Sequence, residues 1–343
     1  MRAILLNQNE SPIPPPSHII AAIRDSLGKL NRYPDPVLKE EVTHLVASYI
    51  RVDPEQTVLI PGTDTVIDVT SRAIKIQEYI VPAPSFYDII IGTFHWNNTT
   101  IKRIPLKDYA GKLSHIGNKG WKRVALADNP NNPLGYALFR VKPACNIPLL
   151  VDEAYYEYSG ITLSKHVRNE EDVGILRTFS KAFGLASLRI GALAAPTEIA
   201  EEIRNDPLVF RITTLSLIAL KKALEDPSYA LENARRTNRE KEWLKKVITR
   251  LKLKTYDSYT NFITIDTRIP GITEVLAEKG IIVKSLEKWM KPGLIRVTIG
   301  THEENLAFLE ALEEIIIHKQ EQVETKADDD RLRTEQSEEP CEA

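Results

Sequence analysis

The apolar positions of this chain fall in short runs that do not alternate strictly with polar ones. Val58-Leu-Ile60, Tyr79-Ile-Val81, Val124-Ala-Leu-Ala127, Leu149-Leu-Val151 and Ile175-Leu176 are each brief enough for one strand, and residues 99–105 hold a further short candidate. Helical stretches separate most of these runs. Strands buried on both faces read this way, so the pattern predicts an α/β fold with a mostly parallel sheet covered by helices.

Helical spacing occurs first at Ile19, Ile20, Ile23 and Leu27, with Ser17 as the expected cap and Gly28 as the stop. Pro12, Pro14, Pro15 and Pro16 keep residues 1–16 in an extended arm before it. Further helices are expected at 37–50, from about Asp64, at 86–94, at 197–204 and at 213–249. A smaller α+β unit follows, with strands at 262–265, 281–284 and 294–299 and a helix at 272–279. Thr301 and Glu304 form a capping box for a last helix that reaches about His318. The expected division is an arm and first helix belonging to the small domain (1–30), a large domain (31–250), a small C-terminal domain (251–318) and a disordered acidic tail (319–343).

Composition acts mainly by exclusion. A net charge of -2 over 343 residues supplies no basic excess to meet nucleic-acid phosphates. The two cysteines, Cys145 and Cys341, cannot build a disulfide framework or a thiolate metal site, and no metal is expected. No run approaches 18 apolar residues, and the first residues are too weakly apolar for a signal peptide. The expectation is a cytoplasmic enzyme acting on small molecules, with neither nucleic acid nor membrane as partner.

Candidate chemistry centres on Lys181, which follows the hydroxyls of Thr178 and Ser180 and precedes Arg189 by eight positions. Lysine can hold a carbonyl cofactor as a Schiff base, and hydroxyls beside an arginine suit a phosphate. Alone, the stretch is equally a small-residue turn. Upstream, Pro61-Gly-Thr63-Asp64 opens a helix and offers amides to an anion. Asp128-Asn-Pro-Asn-Asn132-Pro-Leu134-Gly135 is a proline-fixed loop whose Asn132 has a donor suited to a ring oxygen. Asp152 ends a buried strand and needs a cationic partner there, with Tyr155 three residues on. A protonated pyridine nitrogen would serve, as would a structural ion pair. Phe86 could stack on a flat ring or simply lie in the core.

In this order, with Leu6-Asn-Gln-Asn9-Glu-Ser11-Pro12, Arg32-Tyr33-Pro-Asp35, residues 151–160 and residues 177–191, the chain resembles the fold-type I pyridoxal-phosphate-dependent aminotransferases over residues 5–317. Within them it is most similar to the histidinol-phosphate branch. The resemblance implies pyridoxal 5′-phosphate as cofactor, anchored on Lys181, which also shuttles the substrate proton. It implies Asp152 at the pyridine nitrogen, Asn132 and Tyr155 at the ring oxygen, and Phe86 on the ring face. The Thr63 and Asp64 backbone, Thr178, Ser180 and Arg189 would hold the phosphate. Tyr33 would reach the phosphate of a neighbouring subunit, which implies a homodimer with shared sites. Arg296, Lys284 and Asn9 would bind substrate.

Several positions depart from the family pattern. Leu134 stands for Thr, Thr65 for Glu, and Lys284 for a second substrate arginine. Ser11 sits where some members carry an aromatic residue, and Arg211 is either a further substrate contact or a surface residue. The implied reaction is amino transfer between L-glutamate and imidazole-acetol phosphate in histidine biosynthesis. A threonine-phosphate decarboxylase-like lyase, an aromatic or broad-specificity aminotransferase and a non-catalytic binding protein are the alternatives.

Overall fold

Residues 3–91 and 99–337 are described by a computed structural model. Its strands, in chain order, are β1 (Ile4–Leu6), β2 (Thr57–Ile60), β3 (Glu78–Ala83), β4 (Thr100–Pro105), β5 (Arg123–Asp128), β6 (Leu149–Asp152), β7 (Val173–Thr178), β8 (Gly191–Ala194), β9 (Lys254–Thr255), β10 (Phe262–Asp266), β11 (Ile281–Ser285) and β12 (Leu294–Thr298). They form two sheets, ordered β2-β8-β7-β6-β5-β3-β4 and β1-β11-β12-β10-β9.

In the larger sheet β4, β3, β5, β6 and β7 run parallel, while β8 is antiparallel to both of its neighbours. Successive residues of the central strands enter opposite cores, as the pleat requires. Ala125, Leu149, Val151 and Ile175 join one core, which includes the helices Pro36–Ile50 and Thr214–Glu225. Val124, Leu126, Leu150 and Leu176 join the other, with the helices Val66–Ala73 and Thr197–Arg204. Both faces are therefore apolar, which is why the strands lack alternation. The smaller sheet packs on a third core containing Leu244, Ile263, Val297 and Phe308.

Four expectations change. The first helix, Ser17–Asp25, belongs to the large domain, because Ile19 is buried in its core; only β1, paired with β11, joins the small sheet. Ser17 is not its cap, since that position falls on Pro16 without a side-chain bond. The long helix expected at 213–249 is two, Thr214–Glu225 and Ser228–Arg250, because Pro227 cannot donate into a continuing helix. The last helix runs from His302 to Ser337, so the chain is helical through most of the tail expected to be disordered. Glu, Lys, Arg, Gln and Ala favour that state, and no Gly or Pro interrupts it before Pro340. Of the helix expected at 86–94, Phe86–Ile91 is present and 92–94 lie outside the described residues. The Thr301–Glu304 capping box forms in both directions, at 2.8 and 3.2 Å.

Candidate active site

Asp128, Asp152 and Thr178 are the last residues of β5, β6 and β7. Parallel sheets leave a crevice at this carboxyl edge, and here a cavity of about 540 Å³ opens. Thr63, Asp64, Phe86, Asn132, Asp152, Tyr155, Thr178, Ser180, Lys181 and Arg189 line it, together with Asn9, Lys284 and Arg296 from the small-domain side. The structure thus brings together every candidate site residue except Tyr33.

Lys181 is half-buried and donates from Nζ to the Gln8 carbonyl at 3.1 Å. Burial, then the charge of Arg296, pushes its pKa down to about 8, against the pull of Glu10 and Asp152. Near pH 7 roughly a tenth of such an amine is unprotonated, far more than of an ordinary lysine, and the neutral form is the nucleophile. Asp152 is buried and accepts from the Tyr87 hydroxyl at 2.7 Å and the Ala154 amide at 2.9 Å. Burial still pushes its pKa up to about 6, over those bonds and the charge of Lys181. A cation within reach would relieve it. Behind it the buried Arg177 pairs with Glu153 at 2.8 Å and lies 3.5 Å over the Tyr156 ring, so the strand ends are held by an internal ion pair.

Asn132 accepts from Arg296 at Oδ1 and leaves its Nδ2 unused within the described residues. Tyr155 accepts from Asn9 Nδ2 at 2.9 Å, and burial raises its hydroxyl pKa, so it stays protonated with a hydrogen to give. Two donors are thus available to one ring oxygen.

A phosphate would fit between β2 and β7. Gly62 has φ +90°, and a Cβ there would lie 2.5 Å from Asp64 Oδ1 and 2.6 Å from Arg189 Nη2. The turn Thr63–Thr65 that follows leaves its opening amides unused. The Ser180 hydroxyl is buried with no partner, which is costly unless a ligand supplies one. Arg189 meets Asp64 at 2.5 Å at the exposed lip. A buried orphan hydroxyl, free amides and a guanidinium form the donor set of a phosphate monoester, and the residues fit pyridoxal phosphate.

On the substrate side, Lys284 and Arg296 are direct partners in the β11–β12 register, so both cations leave the sheet on one face. Lys284 Nζ stands 5.1 Å from the Trp289 ring centre. Arg296 is buried, donates to the Asn7 carbonyl at 2.7 Å and leaves Nε unpartnered.

Sequence reasoning missed Asn7, Gln8, Asp128 and Tyr87. The first two lie inside the opening motif and Asp128 begins the proline-fixed loop, so a signal existed; Tyr87 had none beyond adjacency to Phe86. Tyr33 is 97% exposed and borders a separate cavity with Lys39 and Phe210. Arg211 is exposed beside Tyr33, away from the lysine.

The class I and II aminotransferase family matches residues 2–312, and the chain belongs to it. It is accordingly a pyridoxal-phosphate-dependent transaminase. Histidinol-phosphate aminotransferases from Sulfurisphaera tokodaii and Caldicellulosiruptor saccharolyticus are each 32% identical, over 91% and 92% of this chain and 90% and 92% of their own length. The fold matches that of the Sinorhizobium meliloti histidinol-phosphate aminotransferase solved with pyridoxal-5′-phosphate (TM-score 0.78, 21% identity, 92% of each chain). It equally matches L-threonine-O-3-phosphate decarboxylase from Porphyromonas gingivalis (TM-score 0.78, 17% identity, 91% of this chain and 99% of that one).

Proposed function

We propose that the chain is a histidinol-phosphate transaminase, exchanging the amino group of L-glutamate with imidazole-acetol phosphate. The observation that carries this reading is the pair Lys284 and Arg296, which face one another across two strands and line the cavity of Lys181. Two cations suit substrates bearing a carboxylate or a phosphate beside the reacting carbon.

When bound, pyridoxal phosphate supplies the carbonyl that takes up the amino group and a ring that withdraws electrons. Lys181 Nζ anchors it and then moves the proton from the substrate α-carbon, a task suited to a lysine with pKa about 8. Asp152 keeps the ring nitrogen protonated, Asn132 and Tyr155 orient the ring oxygen, and Phe86 covers one ring face. Thr63, Asp64, Thr178, Ser180 and Arg189 hold the phosphate. Arg296, with Asn9 beside it, orients the substrate carboxylate, and Lys284 takes its far anion as a point charge.

Tyr33 acts in the neighbouring subunit of a homodimer. Its exposure, with that of Phe210 at 71%, leaves an apolar surface that a second copy would cover. Mixing Tyr33→Ala with Lys181→Ala chains, each poor alone, should restore activity in hybrid dimers. Among the described residues no helix is long and apolar enough to cross a membrane.

The holoenzyme given L-glutamate and imidazole-acetol phosphate should release 2-oxoglutarate and L-histidinol phosphate. Carbon dioxide from L-threonine O-3-phosphate, without amino transfer, would replace this reading with the decarboxylase. Preference for phenylpyruvate as acceptor would replace it with the aromatic one.

A further inference from the structure

Among the described residues the carboxylate of Asp128 has no salt-bridge partner, and it has no role in the reaction just described, yet it is 3% exposed and both its oxygens accept hydrogen bonds. Its Oδ2 accepts the Phe86 amide at 3.0 Å and the Asn132 amide at 2.7 Å. Its other oxygen accepts from Asn131 Nδ2 at 3.3 Å, and that same nitrogen donates to the Pro84 carbonyl at 3.1 Å. Phe86 and Asn132 belong to different connections, one after β3 and one after β5, and among the described residues no backbone ladder joins the two. A single oxygen therefore bridges the loop that carries the aromatic wall of the cavity and the loop that carries the Asn132 donor.

We propose that Asp128 is a positioning residue for the cofactor ring, clamping the Phe86 and Asn132 loops at a fixed separation so that ring face and ring oxygen are addressed together. The clamp continues outward. From the same loop Pro133 accepts from Thr264 Oγ1 at 2.5 Å, Gly135 accepts from the Tyr259 amide at 2.9 Å, and Asn132 itself accepts from Arg296. Asp128 thus fixes the inner end of a loop whose outer end is fixed by the small domain. A carboxylate suits the place because one of its oxygens can take two amides while the other takes a third donor; an amide side chain would turn a donor toward one of them. Asp128 is also in register with Asp152 on the next strand, so the clamp sits one strand away from the acid assigned to the ring nitrogen.

This inference rests on the reading that the cofactor lies in the Lys181 cavity. The test compares cofactor affinity and amide hydrogen exchange in Asp128→Ala, Asp128→Asn and the unaltered protein. In Asp128→Ala, the cofactor dissociation constant should rise roughly tenfold or more, since two buried amides lose their acceptor. The Michaelis constant for L-glutamate should move less. In the cofactor-free protein, the segments carrying Phe86 and Asn132 should exchange faster while the rest of the large sheet stays protected. Asp128→Asn, which keeps one shared acceptor, should recover much of the affinity. Unchanged affinity and unchanged exchange in Asp128→Ala would overturn the proposal. Should that variant not fold, Asp128→Glu replaces it: the charge stays, the acceptor moves by one methylene, and wild-type affinity there would also overturn it. Borohydride reduction of the unaltered holoenzyme and mapping of the modified lysine separates the two readings. A label away from Lys181 removes the site itself, whereas a label on Lys181 with an indifferent Asp128→Ala removes only the clamp.

Discussion

Arg296 donates from Nη1 to the side-chain oxygen of Asn132, so the residue assigned to substrate and the one assigned to the cofactor ring share a hydrogen bond across the two sheets. The guanidinium also holds the Asn7 carbonyl and lies over the Phe262 ring at 5.2 Å. A lysine could keep the charge but not this fork. Arg296→Lys should therefore raise the Michaelis constant of both substrates by about tenfold or more, with a smaller change in cofactor retention. Steady-state kinetics beside cofactor dissociation measures both, and equal loss of the two would take Arg296 out of the substrate site.

Lys181→Ala should abolish turnover, because both the anchor and the proton carrier disappear. The fold should persist, since the change removes a half-buried amine that burial already disfavours as a cation. Circular dichroism and activity measured on one preparation check this, and substantial residual turnover would contradict the role.

Asp152 makes a prediction of opposite sign for stability and activity. Its folded pKa of about 6 lies above the ordinary carboxyl value of 3.8, so the stability it contributes is complete below about pH 4 and is lost as pH rises through 6. Without cofactor near pH 8, the buried charge costs about 3 kcal/mol at roughly 1.4 kcal/mol per pKa unit. Cofactor-free Asp152→Asn should then melt no lower than the unaltered protein. The loaded variant should lose activity by about a hundredfold or more. A cofactor-free variant that melts well below the parent would show that the acid stabilises the fold.

Gly62→Ala tests the phosphate cup. The added methyl meets Asp64 and Arg189 below 3 Å, and φ +90° strains any side chain. Pyridoxal phosphate should dissociate about tenfold more readily, while pyridoxal lacking the phosphate loses little. Equal loss of both compounds would place the phosphate elsewhere.

Lys284→Arg replaces a point charge with a fork at a position in register with Arg296. Affinity for the phosphorylated acceptor should improve by a few fold, and Lys284→Met should weaken it by about tenfold. No response to either change would remove Lys284 from the substrate site.

The sequence carried the large sheet well because strands buried on both faces leave unbroken apolar runs, as in Leu149-Leu-Val151. The candidate residues Lys181, Asp152 and Asn132, which line one cavity, each sit just beyond or at the end of such a run. Strand β8 was not legible: Gly191-Ala-Leu-Ala194 is made of small residues, and its antiparallel insertion between β2 and β7 follows from the sheet around it. The allegiance of the first helix depended on which core received Ile19, a tertiary fact. Tyr87 and Asp128 escaped because their roles rest on neighbours 65 and 42 positions away, Asp152 and Phe86.

Strand β1 and Asn9 have a consequence for the order in which the chain is made. The Asn9 amide bonds to Thr298, 289 positions later, and β1 pairs with β11. The strands of the larger sheet end at Ala194 and the helix Thr214–Glu225 completes one of its cores, so both can assemble before β10 to β12 are synthesised. Asn9 must wait for a partner made 289 positions later. Until β12 is made, a nascent chain can carry Lys181 and Asp152 in place while Asn9 lacks Thr298 and Asn7 lacks Arg296, so the floor of the pocket is built before its near wall is complete.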